Sequence, residues 1–178
     1  MDSGHSVTDG WEARVTAAWA AFNASADDSE EYAAGFRAVI DALVAELPAD
    51  SPVAPFERAC AWDSTGHSDK AVPLYQEALE RGLDGYRRRR TTIQLASSLR
   101  NIGRPEQGVA LLTPELEALS DELDDAVRAT LALCLADLGR EREGLSLAIG
   151  ALARHLPRYQ RSMATYARLL VQRPESTG

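Results

Sequence analysis

Lysine is almost missing from this chain: of its 19 basic residues only Lys70 is not an arginine, a bias of GC-rich coding rather than a physical choice. Cysteine is scarce too. Cys60 and Cys134 make neither a disulfide framework nor a zinc site, so no cofactor or metal is expected. Three Phe, five Tyr and three Trp in 178 residues are few, and Ala and Leu are plentiful. A sheet would be dominated by aromatic and β-branched residues, so this composition points to closely packed helices. No apolar run approaches the roughly 20 residues of a membrane-spanning helix. MDSGHSVTDG at the start has neither a basic segment nor an apolar stretch, so it does not read as a secretory signal, and a cytoplasmic protein is the simplest expectation. A net charge of -8 opposes non-specific binding to nucleic acid or to an anionic membrane.

The charge that is present comes in blocks. Residues 1–60 hold 3 basic and 11 acidic residues, whereas residues 61–178 hold 16 of each. Seven arginines and one Asp lie between Arg81 and Arg104; eight acids and one Arg lie between Glu106 and Asp137. Such blocks are ordinarily solvated helix faces.

An internal repeat organises the chain. A small residue recurs at Gly35, Ala71, Gly108 and Gly144, at intervals of 36, 37 and 36. A large apolar residue follows each (Phe36, Val72, Val109, Leu145), and a leucine stands eight further on (Leu43, Leu79, Leu116, Leu152). Twelve residues before the last three small positions stand Ala59, Ala96 and Ala132, and between these marks come Gly66, Gly103 and Gly139. The pattern predicts helical hairpins: a first helix ends at the glycine, a second begins about two residues later, and the small positions let helices approach while Leu and Val fill the layers. One hairpin cannot bury its own apolar face, so the units must stack.

On these residues the chain resembles the tetratricopeptide repeat family. The aromatic three residues after the small residue of the first helix is matched by Trp62, with Leu99 and Leu135 as aliphatic equivalents. The small–large–small pattern of the second helix is matched by Ala71, Tyr75 and Ala78, and by Gly144, Ala148 and Ala151. ERACAWDSTG, AVPLYQEALERGL and YRRRRTTIQLASSLRNIG are similar to a small bacterial tetratricopeptide family with no assigned activity. The resemblance covers about residues 53–156. It implies an all-α fold, a right-handed superhelical solenoid of helix-turn-helix repeats, and a non-catalytic scaffold that binds a protein or peptide partner in its concave groove.

The expected layout is a flexible tail over 1–8, a degenerate hairpin over 9–49, three repeats over 50–157, a capping helix over 158–173 and a tail over 174–178. In the first hairpin NASADDSE forms a longer turn without glycine, and Trp11, Val15, Ala18 and Phe22 give its first helix an apolar stripe. Pro114 falls inside a second helix and should kink or split it. In the capping helix Tyr159, Met163, Tyr166 and Leu170 should face the array, with Gln160, Arg161 and Arg168 toward solvent.

Catalysis finds little support, because His5, His67 and His155 each lack a nucleophile or carboxylate pair in their own hairpin. The two cysteines read as packing residues. Four consecutive arginines, Arg87 to Arg90, spread over about 300° of a helix, so they cannot share one ligand. Either they pair with acids of neighbouring helices, or one or two grip a carboxylate or phosphate. The family resemblance places the groove on the first helix of each repeat. Carried over by position it comprises Phe56, Glu57, Cys60 and Asp63, then Arg90, Ile93, Gln94, Ser97, Arg100 and Asn101, then Thr130, Leu133 and Asp137. Relatives that bind chaperones clamp a terminal carboxylate with Lys and Asn in the first unit; Phe56 and Cys60 stand there instead. Asp63 and Arg100 occupy equivalent positions, which suggests an ion pair. The alternatives to a foreign protein partner are self-association into a homo-oligomer and an anionic small molecule held at the basic centre of the groove.

Overall fold

The computed structural model describes residues 3–118 and 120–172; for residues 3–9 only the backbone is described. Every regular element among them is helical: α1 (Ser3–Ala24), α2 (Glu30–Val44), α3 (Val53–Ser64), α4 (Ser68–Glu80), α5 (Gly85–Asn101), α6 (Pro105–Leu112), a 3-10 turn (Pro114–Glu117), α7 (Asp124–Asp137), α8 (Glu141–Ala153) and α9 (Gln160–Leu169). The all-α expectation holds. The chain divides into two compact units, residues 1–83 and 84–178.

Three turns share one hydrogen-bond pattern. After α3 the amide of His67 donates to the Trp62 carbonyl at 2.9 Å and that of Gly66 to Asp63 at 3.0 Å. Arg104 to Leu99 with Gly103 to Arg100, and Arg140 to Leu135 with Gly139 to Ala136, repeat it at the same distances. This is a Schellman closure, which needs a left-handed residue, and Gly66, Gly103 and Gly139 have φ of 83°, 77° and 71°. The large residue of the repeat (Trp62, Leu99, Leu135) supplies the accepting carbonyl, so its spacing from the glycine is set by backbone geometry.

In the first unit, α1 packs on α2 through Trp11 and Val15 against Phe36, Ile40, Leu43 and Val44. The Trp11 indole donates to the Leu43 carbonyl at 2.8 Å, so its burial costs no hydrogen bond. Ser29 caps α2 by accepting from the Tyr32 amide at 3.2 Å, and Glu30 and Glu31 suit the positive end of the helix. In the α3–α4 hairpin Ala59, Ala71, Tyr75 and Ala78 have no exposed surface. Pro73 lies inside α4 without ending it. It removes the amide that would bond Asp69, but both residues are exposed, so the orphaned carbonyl faces solvent.

In the second unit, α5–α6 and α7–α8 are hairpins whose core is Ile93, Ala96, Leu112, Val127, Leu131 and Leu135. Pro114 splits the helix as the sequence predicts: α6 ends at Leu112 and the 3-10 turn takes its place. Of the far half, Leu119 lies outside the described residues.

Three expectations need correction. Residues 3–8, expected in a tail, are helical in α1, continuous with the helix whose apolar stripe starts at Trp11. Leu145 and Leu152, expected to fill a layer, are about half exposed because α9 covers α8 on its other side, where the Ser146 hydroxyl donates to the Ala167 carbonyl at 2.7 Å. The face α9 turns inward carries Ala164 and buried Ala167 beside Gly150, while Tyr159 and Tyr166 are 75% and 60% exposed. Small residues win that face because the backbones approach too closely for a tyrosine ring. Residues 1–2 and the tail expected over 174–178 lie outside the described residues.

The small positions of the repeat are not equivalent in energy. A methyl group on Gly144 would stand 2.7 Å from the Ala132 carbonyl oxygen, whereas one on Gly35 would meet nothing within 4 Å. Gly144→Ala is therefore expected to lower stability by roughly 2 kcal/mol, since backbone must move. Gly35→Ala, inside α2, should raise it by about 0.5–1 kcal/mol through helix propensity. Urea denaturation midpoints of the two variants check the opposite signs.

Candidate functional site

On α3, Phe56, Glu57 and Cys60 are 0%, 4% and 1% exposed. The Trp19 indole donates to Glu57 at 3.2 Å, tying α1 to α3. Asp63 is half-buried and accepts from the Tyr75 hydroxyl at 3.3 Å and the Ser68 hydroxyl at 3.4 Å. Burial pushes the Tyr75 phenol far above its ordinary range, with Cys60 and Asp63 adding to the effect, so it stays a neutral donor.

On α5, Ile93 is 8% exposed; Arg90, Gln94, Ser97 and Arg100 are half-buried, and Asn101 is exposed. On α7, Thr130 is half-buried, Asp137 exposed and Leu133 51% exposed. The Arg100 guanidinium meets the Asp137 carboxylate at 2.7 Å, joining α5 to α7 across this face. Arg100 thus has its acid one repeat further along the chain, at Asp137. A ligand touches only exposed atoms, so Phe56, Glu57, Cys60 and Ile93 leave the candidate surface and act as packing residues. Within the second unit the face that remains is polar, with Leu133 as its apolar point.

Burial also raises the Cys134 thiol, which is buried like Cys60, and both cysteines are unbridged. His67 packs edge-on against Trp62, and exposed His155 lies 2.8 Å from Asp125. The side chain of His5 lies outside the described residues. Among the described residues no three His, Cys, Asp or Glu side chains gather as a metal site would require.

The densest charge cluster came from the arginine run, and its acids were not individually legible in the sequence. Arg89, 6% exposed, reaches the 3-10 turn and the start of α7. Its guanidinium lies 3.4 Å from the Glu115 carboxylate, donates to the Asp124 carboxylate at 2.9 Å and to the Glu115 carbonyl at 3.3 Å, and pairs with Asp121. Arg88 meets Glu115 at 2.9 Å. The Ser120 hydroxyl donates to Asp124 at 2.6 Å, and with Arg89 it holds the Asp124 carboxyl down to about 2. Asp121 is held low mainly by Arg89. Arg88 and Arg89 are thus paired with neighbouring acids. The sequence signal was the arginine block followed by the acid block; Pro114 displaces those acids from the repeat register, so spacing could not pair them.

Because these carboxylates titrate below the unfolded value of about 3.9, their contribution is complete above about pH 5 and is lost as pH falls toward 2. Replacing Arg89 by Met should cost roughly 3 kcal/mol near neutral pH, because buried acids lose their cation. The variant should also lose less stability than the parent between pH 5 and 2; thermal midpoints across that range check both.

A family model described as tetratrico peptide repeat matches residues 52–170. No curated protein and no solved structure matches the chain.

Proposed function

Because the chain belongs to the tetratricopeptide repeat family, whose all-α hairpins serve as protein-interaction scaffolds, we propose that it is a non-catalytic module binding a protein or peptide through the α5–α7 face. The observation that carries this reading is Leu133. It is a leucine about half exposed on α7, at a position expected to line the groove together with the polar Gln94, Ser97, Asn101 and Thr130. An isolated apolar anchor with hydrogen-bonding neighbours is the composition of a peptide site.

An anionic small molecule has less support. Arg100 is neutralised by Asp137, and Arg89 by three acids, so those cations are already engaged. No helix among the described residues is long and apolar enough to cross a membrane. Two buried, unbridged thiols suit a reducing compartment, which supports a cytoplasmic location.

The test is site-specific photo-crosslinking in the native host. A crosslinker at position 133 should capture a discrete partner, and one at exposed Gln107 on α6 should not. Leu133→Asp should reduce affinity for the captured partner at least tenfold, about 1.4 kcal/mol, with an unchanged denaturation midpoint. Equal capture from both positions would remove the α5–α7 face as the binding surface.

A further inference from the structure

Two surfaces that the α5–α7 reading does not use are opposite in charge and both apolar. The first belongs to α1 and α2. A cleft of about 580 Å³ opens between them, with Phe22 as its base: its ring stacks on Tyr32 at 5.9 Å and on Phe36 at 4.1 Å. Gly35 leaves the floor open, and Val39 stands 48% exposed at the edge. Asp27 and Glu31 line the same cleft. Of the four acids between Phe22 and Phe36, Glu30 is paired with Arg37, and Asp27 and Glu31 are the acids lining the cleft.

The second is α9. Met163 is half-buried, whereas Tyr166 and Leu169 are 60% and 52% exposed, and Tyr159, left-handed just before the helix, is 75% exposed. α9 carries Arg161 and Arg168 and no acid. In a repeat protein a terminal helix normally turns a polar face outward. Here the outward face is aromatic and cationic.

Charge decides what can cover each surface. Two α9 helices facing each other would oppose arginine with arginine, and two clefts would oppose carboxylate with carboxylate. A cleft facing α9 matches apolar with apolar and acid with base. We propose that α9 of one molecule docks in the α1–α2 cleft of a second copy. Tyr166 and Leu169 enter over Phe22 and Val39, and Arg161 and Arg168 lie beside Asp27 and Glu31. This is helix-in-groove recognition. The two surfaces differ, so the contact is heterologous: it can repeat along an open chain or be made twice in a reciprocal dimer. One short helix in one cleft buries less than the roughly 1,200 Å² of a stable standard interface, so the association is weak and concentration-dependent.

Sedimentation of the full chain tests this. The mean mass should rise continuously above the monomer through the micromolar range, and the association should weaken about tenfold between 0.05 and 0.5 M NaCl, as screening requires. Tyr166→Glu blocks α9, and Val39→Glu blocks the cleft. Both positions are exposed, so folding should survive, which circular dichroism monitors. Each variant alone should be monomeric. Mixed, they should form a 1:1 dimer that grows no further, because one intact α9 meets one intact cleft. A parent chain monomeric at all concentrations would overturn the proposal. So would a mixture that stays monomeric, or variants that associate as well as the parent. None of these outcomes bears on the Leu133 crosslinking result, so the two readings stand or fall separately.

Discussion

The structure depends on how closely two helix backbones approach at the small positions of the repeat. In the second unit a side-chain carbon on Gly108 would lie 2.7 Å from the Cys134 sulfur and 3.1 Å from the Ala96 carbonyl oxygen; on Gly144 it would lie 2.7 Å from that of Ala132. Ala96 and Ala132 are the alanines twelve residues earlier, so each hairpin closes small residue onto small residue. In the first unit Ala59 and Ala71 stand at the same spacing, both without exposed surface. Cys134 also fits this account: at 0% exposure it fills a space that the missing side chain of Gly108 leaves, and its thiol is a packing group.

Where the repeat departs from its own rule, polar chemistry takes over. Pro114 ends α6 after eight residues, and a 3-10 turn stands where the second half of a helix would be. The apolar surface lost there is replaced by Arg89, which binds the turn and the start of α7 through Glu115, Asp121 and Asp124. A buried arginine satisfied on several sides adds little net stability over an apolar core, but it specifies geometry. It fixes where α7 begins, and therefore where Thr130, Leu133 and Asp137 stand beside α5. The arginine run thus contributes to the candidate binding face from beneath, while Arg100 and Asp137 brace it at the surface.

The first hairpin and the last helix carry other departures. α1 and α2 use a tier of aromatic rings where later hairpins use alanine and glycine, and that tier leaves a cleft. α9 contacts α8 through its small residues and leaves its tyrosines outside. Both features follow from residue volume. Rings that stack hold helices apart, and a helix seated on Gly150 and Ser146 must turn its bulky side elsewhere.

Much of the fold was legible in the chain by itself. The glycine turns, the hairpins they join and the break at Pro114 are consequences of backbone geometry within a few residues, and a repeat states them several times. Which of their side chains a partner could touch was not legible. Phe56, Cys60 and Ile93 occupy positions expected to line a groove, but their burial depends on what packs over them, which no spacing records. The partners of Arg89 lie 26 to 35 residues away, beyond a helix broken out of register. The outward turn of Tyr159 and Tyr166 likewise follows from a competition between two faces of α9 for one surface on α8. Local periodicity sets which residues share a helix face; only the packed structure decides which face is covered, because burial belongs to pairs of elements rather than to any one segment.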